Sequence, residues 1–321
     1  MKAGVLQFFS WPERRVPLET VYERALQRIE IMDQSGYDAV WLAEHHFNTY
    51  SVCPSVHLMA SQVAARTTRL RIGTGVTLAA FYHPLRIAEE IALLDIFSGG
   101  RMNWGAGPGF DRTEFRAFGV EPDEVRTRLR ENFDIVLAAW TNERITHHGP
   151  YYDFDDLEVL PKPRQSPHPP AWLSGTSTES AEYAASRGYS IMLDPHSTHE
   201  EIGAKYRHYR DELEAHGHSI EGRDIPIARL LAIAETHEEA EAIARRGAQW
   251  TVDSYVGRRD PNIDPVQRYL DGVVIYGTPD EVVDKLQQLE EEIGLGYLLC
   301  SPLSHSTFML FTERVLPRLV S

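Results

Sequence analysis

Short apolar runs alternate with longer amphipathic runs along almost the whole chain. The apolar runs have the length and composition of buried strands, and they cover 3–9, 39–43, 70–78, 102–106, 171–174, 190–193, 227–234 and 297–301. The runs between them repeat apolar positions at helical spacing, near 18–35, 54–67, 84–97, 122–141, 178–187, 199–215, 237–250, 279–293 and 305–317. Eight strands interleaved with helices predict an α/β fold, a (β/α)8 TIM barrel. A doubly wound open sheet is the rival, but the GxGxxG turn that usually follows its first strand is missing here.

Two stretches interrupt this alternation. Residues 142–170 are rich in proline and contain the turn signal Gly149-Pro150, which predicts a hairpin insertion after the fourth strand-helix unit. Residues 253–270 contain Pro261 and Pro265 and are interpreted as a lid loop, since long loops at the C-terminal face of a barrel commonly cover binding sites. We expect a single domain over 1–321.

The net charge and the cysteine content limit which partners and which cellular compartment are expected for the chain. The 321 residues carry a formal charge of −15, which argues against binding to nucleic acid or to an anionic membrane surface. No apolar run is long enough to span a membrane, and the first residues lack a signal-peptide pattern. Cys53 and Cys300 are the only cysteines and show no metal-binding spacing. These features indicate a cytoplasmic protein.

The most informative chemistry follows the second predicted strand. Glu44, His45 and His46 lie where that strand would end and a loop would begin, at the edge of a parallel barrel where ligands bind. Histidine titrates near neutral pH and can therefore give or take a proton there. The alternative is that Glu44 and His45 only hydrogen-bond each other beneath a loop.

A second candidate follows the fifth predicted strand. Gly175, Thr176, Ser177 and Ser180 precede or open a helix, and the unpaired N–H groups at a helix start favour an anion such as a phosphate monoester. The alternative is structural, because Thr176 and Glu179 also have the spacing of a capping box.

Glycines near the ends of the third and fourth predicted strands form a third candidate. Gly73 and Gly75 lie among β-branched residues, and Gly105, Gly107 and Gly109 end the next strand. A glycine within a strand often marks a close approach of backbone or ligand. Together they could leave room for a flat ring at one barrel mouth, although packing alone would also explain them.

Other polar clusters are interpreted as structural. No metal site is expected from the histidines, because neither His147-His148 nor His196 with His199 has a convincing ligand spacing. A mixture of basic and acidic residues on one predicted helix is typical of a solvated face, and its basic members are Arg126, Arg128 and Arg130.

Several segments, taken in the order in which they occur along the chain, resemble the luciferase-like flavin-dependent monooxygenases, the family of bacterial luciferase. The likeness extends over nearly the whole chain and is carried by residues 36–47, 70–74, 83–95, 98–101, 115–119, 184–188, 198–200 and 277–281. It implies a TIM barrel that binds reduced FMN (FMNH2) at its C-terminal mouth. It also implies a diffusible flavin from a separate NAD(P)H-dependent flavin reductase, a homodimer, and oxygenation of a small organic substrate by O2 through a C4a-(hydro)peroxyflavin.

The resemblance assigns roles to individual residues. His45 matches the histidine linked to proton handling, and His46 is its neighbour. Gly75-Val76 occupies the position of a non-proline cis peptide beneath the flavin ring, with Gly107 beside the cofactor. Gly175, Thr176, Ser177 and Ser180 match the phosphate loop. Phe8 and Trp250 are assigned to the substrate pocket.

The chain departs from bacterial luciferase near the end of the fourth strand. Pro108 and Gly107 stand where luciferase has a phosphate-binding arginine and a reactive cysteine, so either Arg112 or Arg116 supplies the positive charge or the affinity for phosphate is lower. Two rival functions stay open at this point. One is F420-dependent hydride transfer on the same barrel, and the other is flavin binding without catalysis by an accessory protein.

Overall fold

A computed structural model describes residues 1–256 and 263–319. Its strands are β1 (Lys2–Gln7), β2 (Ala39–Leu42), β3 (Arg71–Thr74), β4 (Thr77–Leu78), β5 (Met102–Gly107), β6 (Ile145–His148), β7 (Asp153–Leu157), β8 (Ala171–Ser174), β9 (Ser190–Met192), β10 (Pro226–Ile233), β11 (Val274–Gly277) and β12 (Tyr297–Pro302). Its helices are α1 (Leu18–Gln34), α2 (Val56–Arg66), α3 (Pro84–Phe97), α4 (Arg112–Phe118), α5 (Val125–Thr141), α6 (Thr178–Ser186), α7 (His199–Ala215), α8 (His237–Thr251), α9 (Pro265–Gly272), α10 (Pro279–Ile293), α11 (His305–Leu310) and α12 (Leu316–Leu319).

The main sheet is a closed ring of parallel strands. Neighbours in the ring follow the order β10-β12-β1-β2-β3-β5-β8-β9. A bridge between Leu193 and Ile227 joins the β9 end to β10 and closes the ring. The predicted (β/α)8 barrel is therefore confirmed, and all eight predicted strands belong to it.

The strand β11 was not expected and lies outside this ring. It pairs with the second half of β10, from Leu230 to Ile233. The predicted strand 70–78 is also divided, because Gly75-Val76, a cis peptide, separates β3 from β4. Before this peptide, Gly75 N donates to Leu42 O at 2.7 Å, and after it β4 pairs with β5.

The prediction of an irregular stretch over 253–270 is partly wrong, because helical residues occupy both of its ends. A π-helical turn continues α8 through Val252–Val256, and α9 occupies Pro265–Gly272. Asp264 caps α9 by accepting from Val266 N and Gln267 N, and proline at the first helical position loses no hydrogen bond. The remaining predicted lid residues, 257–262, lie outside the described residues.

An antiparallel pair lies between the fourth and fifth barrel strands. Strands β6 and β7 pair with a register shift near His147, within the predicted 142–170. That this hairpin is an insertion stays a prediction.

Large side chains fill the lower part of the barrel. Its interior cluster includes Trp41, Trp172, Met192 and Tyr297. A Cβ added at Gly73 would lie 2.4 Å from the Trp41 ring. The space at Gly73 therefore holds an indole, and the expectation that this glycine makes room for a bound ring is wrong. Among the residues described, no helix is both long and apolar enough to cross a membrane.

Candidate active site

His45 lies at the C-terminal mouth of the barrel, three residues after β2 ends. Its backbone N–H donates to Cys53 O at 3.1 Å, which fixes the start of the loop. Its ring stacks with that of Phe8 at 6.1 Å between centroids, and only 11% of the side chain is exposed. The two residues assigned to catalysis and to the substrate pocket are thus neighbours.

A buried carboxylate faces this imidazole. Glu114 Oε1 lies 3.8 Å from His45 Nδ1 and accepts a hydrogen bond from His46 N at 2.9 Å. The distance to Nδ1 is too long for a hydrogen bond, and Nδ1 has no hydrogen-bond partner among the described residues. Glu114 belongs to α4, a helix that the sequence analysis did not predict. Its start is marked only by the Asp111 cap.

His46 faces away from His45 and joins a separate network. Its Nε2 lies 3.0 Å from Glu44 Oε1, so the pair that forms under the loop is Glu44 with His46 and not with His45. Glu44 also accepts from Tyr82 Oη at 2.7 Å and Leu78 N at 3.2 Å. These hydrogen bonds satisfy the acceptor oxygens of a fully buried carboxylate and hold β4 against the loop. Catalysis by His46 stays a prediction.

Two tyrosines form an aromatic wall beside His45. The rings of Tyr50 and Tyr255 stack at 3.9 Å with 2° between their planes. The Tyr255 hydroxyl lies 3.4 Å from His45 Nε2. Burial, with Tyr50 and Glu114 nearby, raises the pKa of Tyr255 well above its ordinary value. Tyr255 therefore keeps its proton at neutral pH and can donate it in a hydrogen bond to Nε2.

Apolar side chains form the floor of the mouth. Phe8 and Val76 both pack against the interior cluster. Gly107 on β5 is needed for this packing, because an added Cβ would lie 2.6 Å from Val76 Cγ2. The result is an apolar surface next to His45, built from Val76 and Gly107, which the resemblance assigns to the flavin, and from Phe8, which it assigns to the substrate pocket.

The hydroxyl cluster lies at the start of α6, on the far side of the mouth after β8. Ser177 is the helix cap and accepts from Ser180 N at 3.3 Å. The two hydroxyl oxygens lie 3.0 Å apart. The capping box predicted for Thr176 and Glu179 is wrong, since Ser177 holds the cap and Thr176 is exposed.

Two arginines reach this helix start: Arg126 is exposed, in line with the predicted solvated face, and Arg130 is partly buried. Arg126 and Arg130 on α5 bind the Glu179 carboxylate at 3.0 and 2.7 Å. Arg112 and Arg116, the candidates named from the sequence, are exposed on α4. Arg126 and Arg130 therefore bring positive charge to Glu179 in the first turn of α6. The sequence signal was the helical spacing of four residues between the two arginines, which puts them on one face.

The other histidines named from the sequence have local partners, except His199, whose buried Nδ1 has none among the described residues. His147 pairs with Glu131 at 2.9 Å, and His196 Nδ1 lies 2.9 Å from Tyr269 Oη. On the hairpin, ligand atoms of His148, Asp153 and Asp155 lie within 4.8 Å of one another, and all three residues are exposed. His148 already pairs with both carboxylates, so this cluster is explained without an ion.

The comparison with protein families identifies the chain. A family model described as luciferase-like monooxygenase matches residues 1–295. The chain belongs to the luciferase-like monooxygenase family. It is 29% identical over 227 residues to the oxygenase component of the flavin-dependent trigonelline monooxygenase of Acinetobacter baylyi, covering 70% of this chain and 62% of that protein.

Solved structures of monooxygenases share the whole fold. Monooxygenase RslO1 from Streptomyces bottropensis superposes with a TM-score of 0.88 at 28% identity, over 99% of each chain. The oxygenating constituent of 3,6-diketocamphane monooxygenase of Pseudomonas putida, in complex with FMN, gives a TM-score of 0.84 at 20% identity, over 99% of this chain and 98% of that chain. In this luciferase-like monooxygenase, the barrel mouth therefore combines a largely buried imidazole, an apolar floor and a hydroxyl-bearing helix start.

Proposed function

We propose that this chain is the oxygenase component of a two-component monooxygenase that uses reduced FMN and O2 to oxygenate a small organic substrate. The observation that carries the proposal is His45, which lies between Glu114 and Tyr255 with its Nδ1 unpartnered among the described residues. An imidazole in such a setting can hold or move a proton beside a bound substrate. The similarity to a named oxygenase component supports the two-component form.

The residues at the mouth fit FMN at both of its ends. Ser177 and Ser180 offer two hydroxyls, and the first turn of α6 adds backbone donors for a phosphate. The Glu179 carboxylate would repel a phosphate, but Arg126 and Arg130 neutralise it. At the other end, Phe8 and Val76 offer an apolar surface to a flat ring.

Each group then has a distinct task. When bound, reduced FMN supplies the electrons that activate dioxygen, so that one oxygen atom can enter the substrate. In the neutral His45 ring the proton is on Nδ1 and Tyr255 donates to Nε2; when the ring takes up a second proton at Nε2, that N–H donates to the Tyr255 oxygen and Glu114 balances the charge. Phe8, Tyr50 and Tyr255 exclude water from the reacting atoms.

The proposed assembly includes a second copy of the chain and a separate NAD(P)H-dependent flavin reductase. Large apolar side chains are exposed on α2 and α3, led by Leu58 at 74% and Phe97 at 64%. Exposed apolar side chains of this size favour burial against a partner. We expect a homodimer through these two helices and a cytoplasmic location, where reductases keep flavin reduced.

The experiment is a reductase-coupled assay under 18O-labelled dioxygen. The purified chain, a flavin reductase, NADH and FMN are incubated with panels of aldehydes, ketones and organic sulfur compounds. We expect one labelled oxygen atom in the product of at least one panel. A reaction with the His45→Ala variant is the matched control, and peroxide as the only oxygen product with every panel would contradict the proposal.

A cofactor titration separates the rival functions. Fluorescence titrations with FMN and with F420 should show tighter binding of FMN. Tighter binding of F420 together with hydride transfer to a substrate would favour the deazaflavin rival. Tight FMN binding with no turnover under any condition would favour the accessory-protein rival.

A further inference from the structure

A cavity of about 1000 Å³ leaves the barrel mouth between α1 and α8. Phe8, Tyr50 and Trp250 are among its lining residues, and the first two of these contact the His45 ring, at 6.1 and 5.5 Å between centroids. The cavity therefore begins at the site described above. Its volume is at the upper end of the range typical of small-molecule sites, roughly 300–1000 Å³.

The outer part of this cavity is lined by arginines, and we call it the arginine cleft. Arg24 and Arg28 are four residues apart on α1 and so share one helix face, while Arg246 lies on α8. Arg15 also lines the cavity but is paired with Glu13. No aspartate or glutamate lines the cleft in the part of the chain that the structure describes, although the protein carries 47 acidic residues against 32 basic ones.

The cleft arginines have no carboxylate of their own. Within residues 1–256 and 263–319, Arg24, Arg28 and Arg246 form no ion pair, whereas other arginines on the same helices or nearby do, such as Arg245 with Glu241 at 3.0 Å. Burial, together with the neighbouring Arg24, lowers the pKa of Arg28. Like charges held together in a partly buried cleft are costly unless an anion joins them.

Two buried polar atoms on the cavity wall also have no hydrogen-bond partner among the residues described. They are Gln7 Oε1 and Trp250 Nε1, and the Gln7 side chain is only 3% exposed. Buried polar atoms in proteins are nearly always satisfied by protein, water or a ligand. Both atoms are shielded from solvent behind the cavity wall, so the arginines are the groups that a ligand in the cavity can reach.

We propose that the arginine cleft binds a carboxylate on the substrate, so that the substrate is an organic acid with an apolar body. Guanidinium groups bind carboxylates in a planar, two-point manner. The apolar body would lie against Phe8 and Trp250 and extend to His45, while the carboxylate reaches Arg28 and Arg246. This inference rests on the proposed monooxygenase function, because it names the class of compound that would be oxygenated.

The test measures binding and not turnover. Two matched probe pairs, octanoate with octanamide and 4-phenylbutanoate with 4-phenylbutanamide, are titrated calorimetrically into the full-length chain. Each carboxylate should bind at least tenfold more tightly than its amide. That preference should fall below threefold in R28Q and in R246Q, and it should persist in R28K, which keeps the charge if R28Q does not fold.

Arg245→Gln is the matched control, because Arg245 neighbours Arg246 on α8 but is exposed and paired with Glu241. It should leave the preference unchanged. The proposal is overturned if no carboxylate binds at millimolar concentration, if the amides bind equally well, or if R245Q has the same effect as R28Q.

Parallel FMN titrations distinguish the two proposals. If R28Q weakens FMN binding while riboflavin binding is unchanged, the arginines hold the cofactor phosphate and the carboxylate proposal is wrong. If FMN does not bind but the carboxylate preference is present, the cleft assignment holds and the monooxygenase proposal fails.

Discussion

The Glu114 carboxylate faces the His45 imidazole from a helix that starts 67 residues later in the chain, with 3.8 Å between Oε1 and Nδ1. The same oxygen accepts the His46 backbone N–H at 2.9 Å. Glu114 thus fixes the loop that carries His45 and also puts a negative charge beside its ring. Because Glu114 has both roles, substitutions at this position can separate its effect on stability from its effect on catalysis.

The first prediction concerns the imidazole itself. Replacing His45 by alanine should lower kcat/KM by roughly 100-fold or more, the usual contribution of a positioned acid or base. FMN affinity should change little, because the phosphate cluster is on the far side of the mouth. Turnover and FMN titrations measure the two effects, and wild-type turnover in H45A would refute the assigned role.

The second prediction uses two substitutions of Glu114. The Glu114→Gln variant keeps an oxygen for His46 N but removes the charge, so turnover should fall roughly tenfold with little change in stability. The Glu114→Ala variant also leaves a buried N–H unpaired, which costs about 1–3 kcal/mol. Urea unfolding and steady-state rates separate the two. Equal turnover in E114Q and wild type would contradict a role for the charge.

The third prediction concerns Tyr255. Its replacement by phenylalanine preserves the stack on Tyr50 but removes the hydroxyl near His45 Nε2. We expect turnover to fall roughly threefold to tenfold, the value of one hydrogen bond of about 1 kcal/mol. Tyr276→Phe on β11, away from the mouth, is the control. An unchanged rate in Y255F would show that the 3.4 Å contact does not position the imidazole.

The fourth prediction tests the phosphate cluster. In Ser180→Ala the helix cap at Ser177 is retained, but one hydroxyl donor is lost, so FMN should bind roughly tenfold more weakly. Riboflavin, which has no phosphate, should bind as before. Thr178→Ala removes an exposed hydroxyl from the same turn and should affect neither ligand. A parallel loss of riboflavin binding would argue against phosphate recognition.

The fifth prediction is a loss of stability in acid. Burial, with Arg229 and Lys285 nearby, lowers the pKa of His199 from 6.5 to about 3. Between these values the unfolded chain binds a proton that the folded chain does not. The free energy of unfolding should therefore fall as pH drops from 6.5 towards 3, by at most about 1.4 kcal/mol per pH unit.

Replacing His199 by glutamine should reduce that slope. His216→Gln, at the exposed far end of the same helix, should leave the slope as it is in the wild type. Urea unfolding at pH 7 and pH 4.5 gives the comparison. The same slope in H199Q and wild type would show that this buried histidine does not drive acid unfolding.

Local patterns in the sequence predicted most of the barrel. The strands that form the ring are short apolar runs, and hydrophobic periodicity depends only on neighbours along the chain. The same reasoning from local patterns did not predict β11, α4 or α9. Of these, α4 and α9 follow caps at Asp111 and Asp264, within stretches where glycine or proline indicated a loop.

The sequence by itself determined the barrel and the position of His45 and Ser177 at strand ends. Only the tertiary structure decided which distant side chains surround them. Glu114 and Tyr255 reach His45 across 69 and 210 residues of sequence, and Trp41 fills the space that Gly73 leaves. Such contacts depend on ring closure and on where loops return to the mouth, and a periodic pattern carries no information about either.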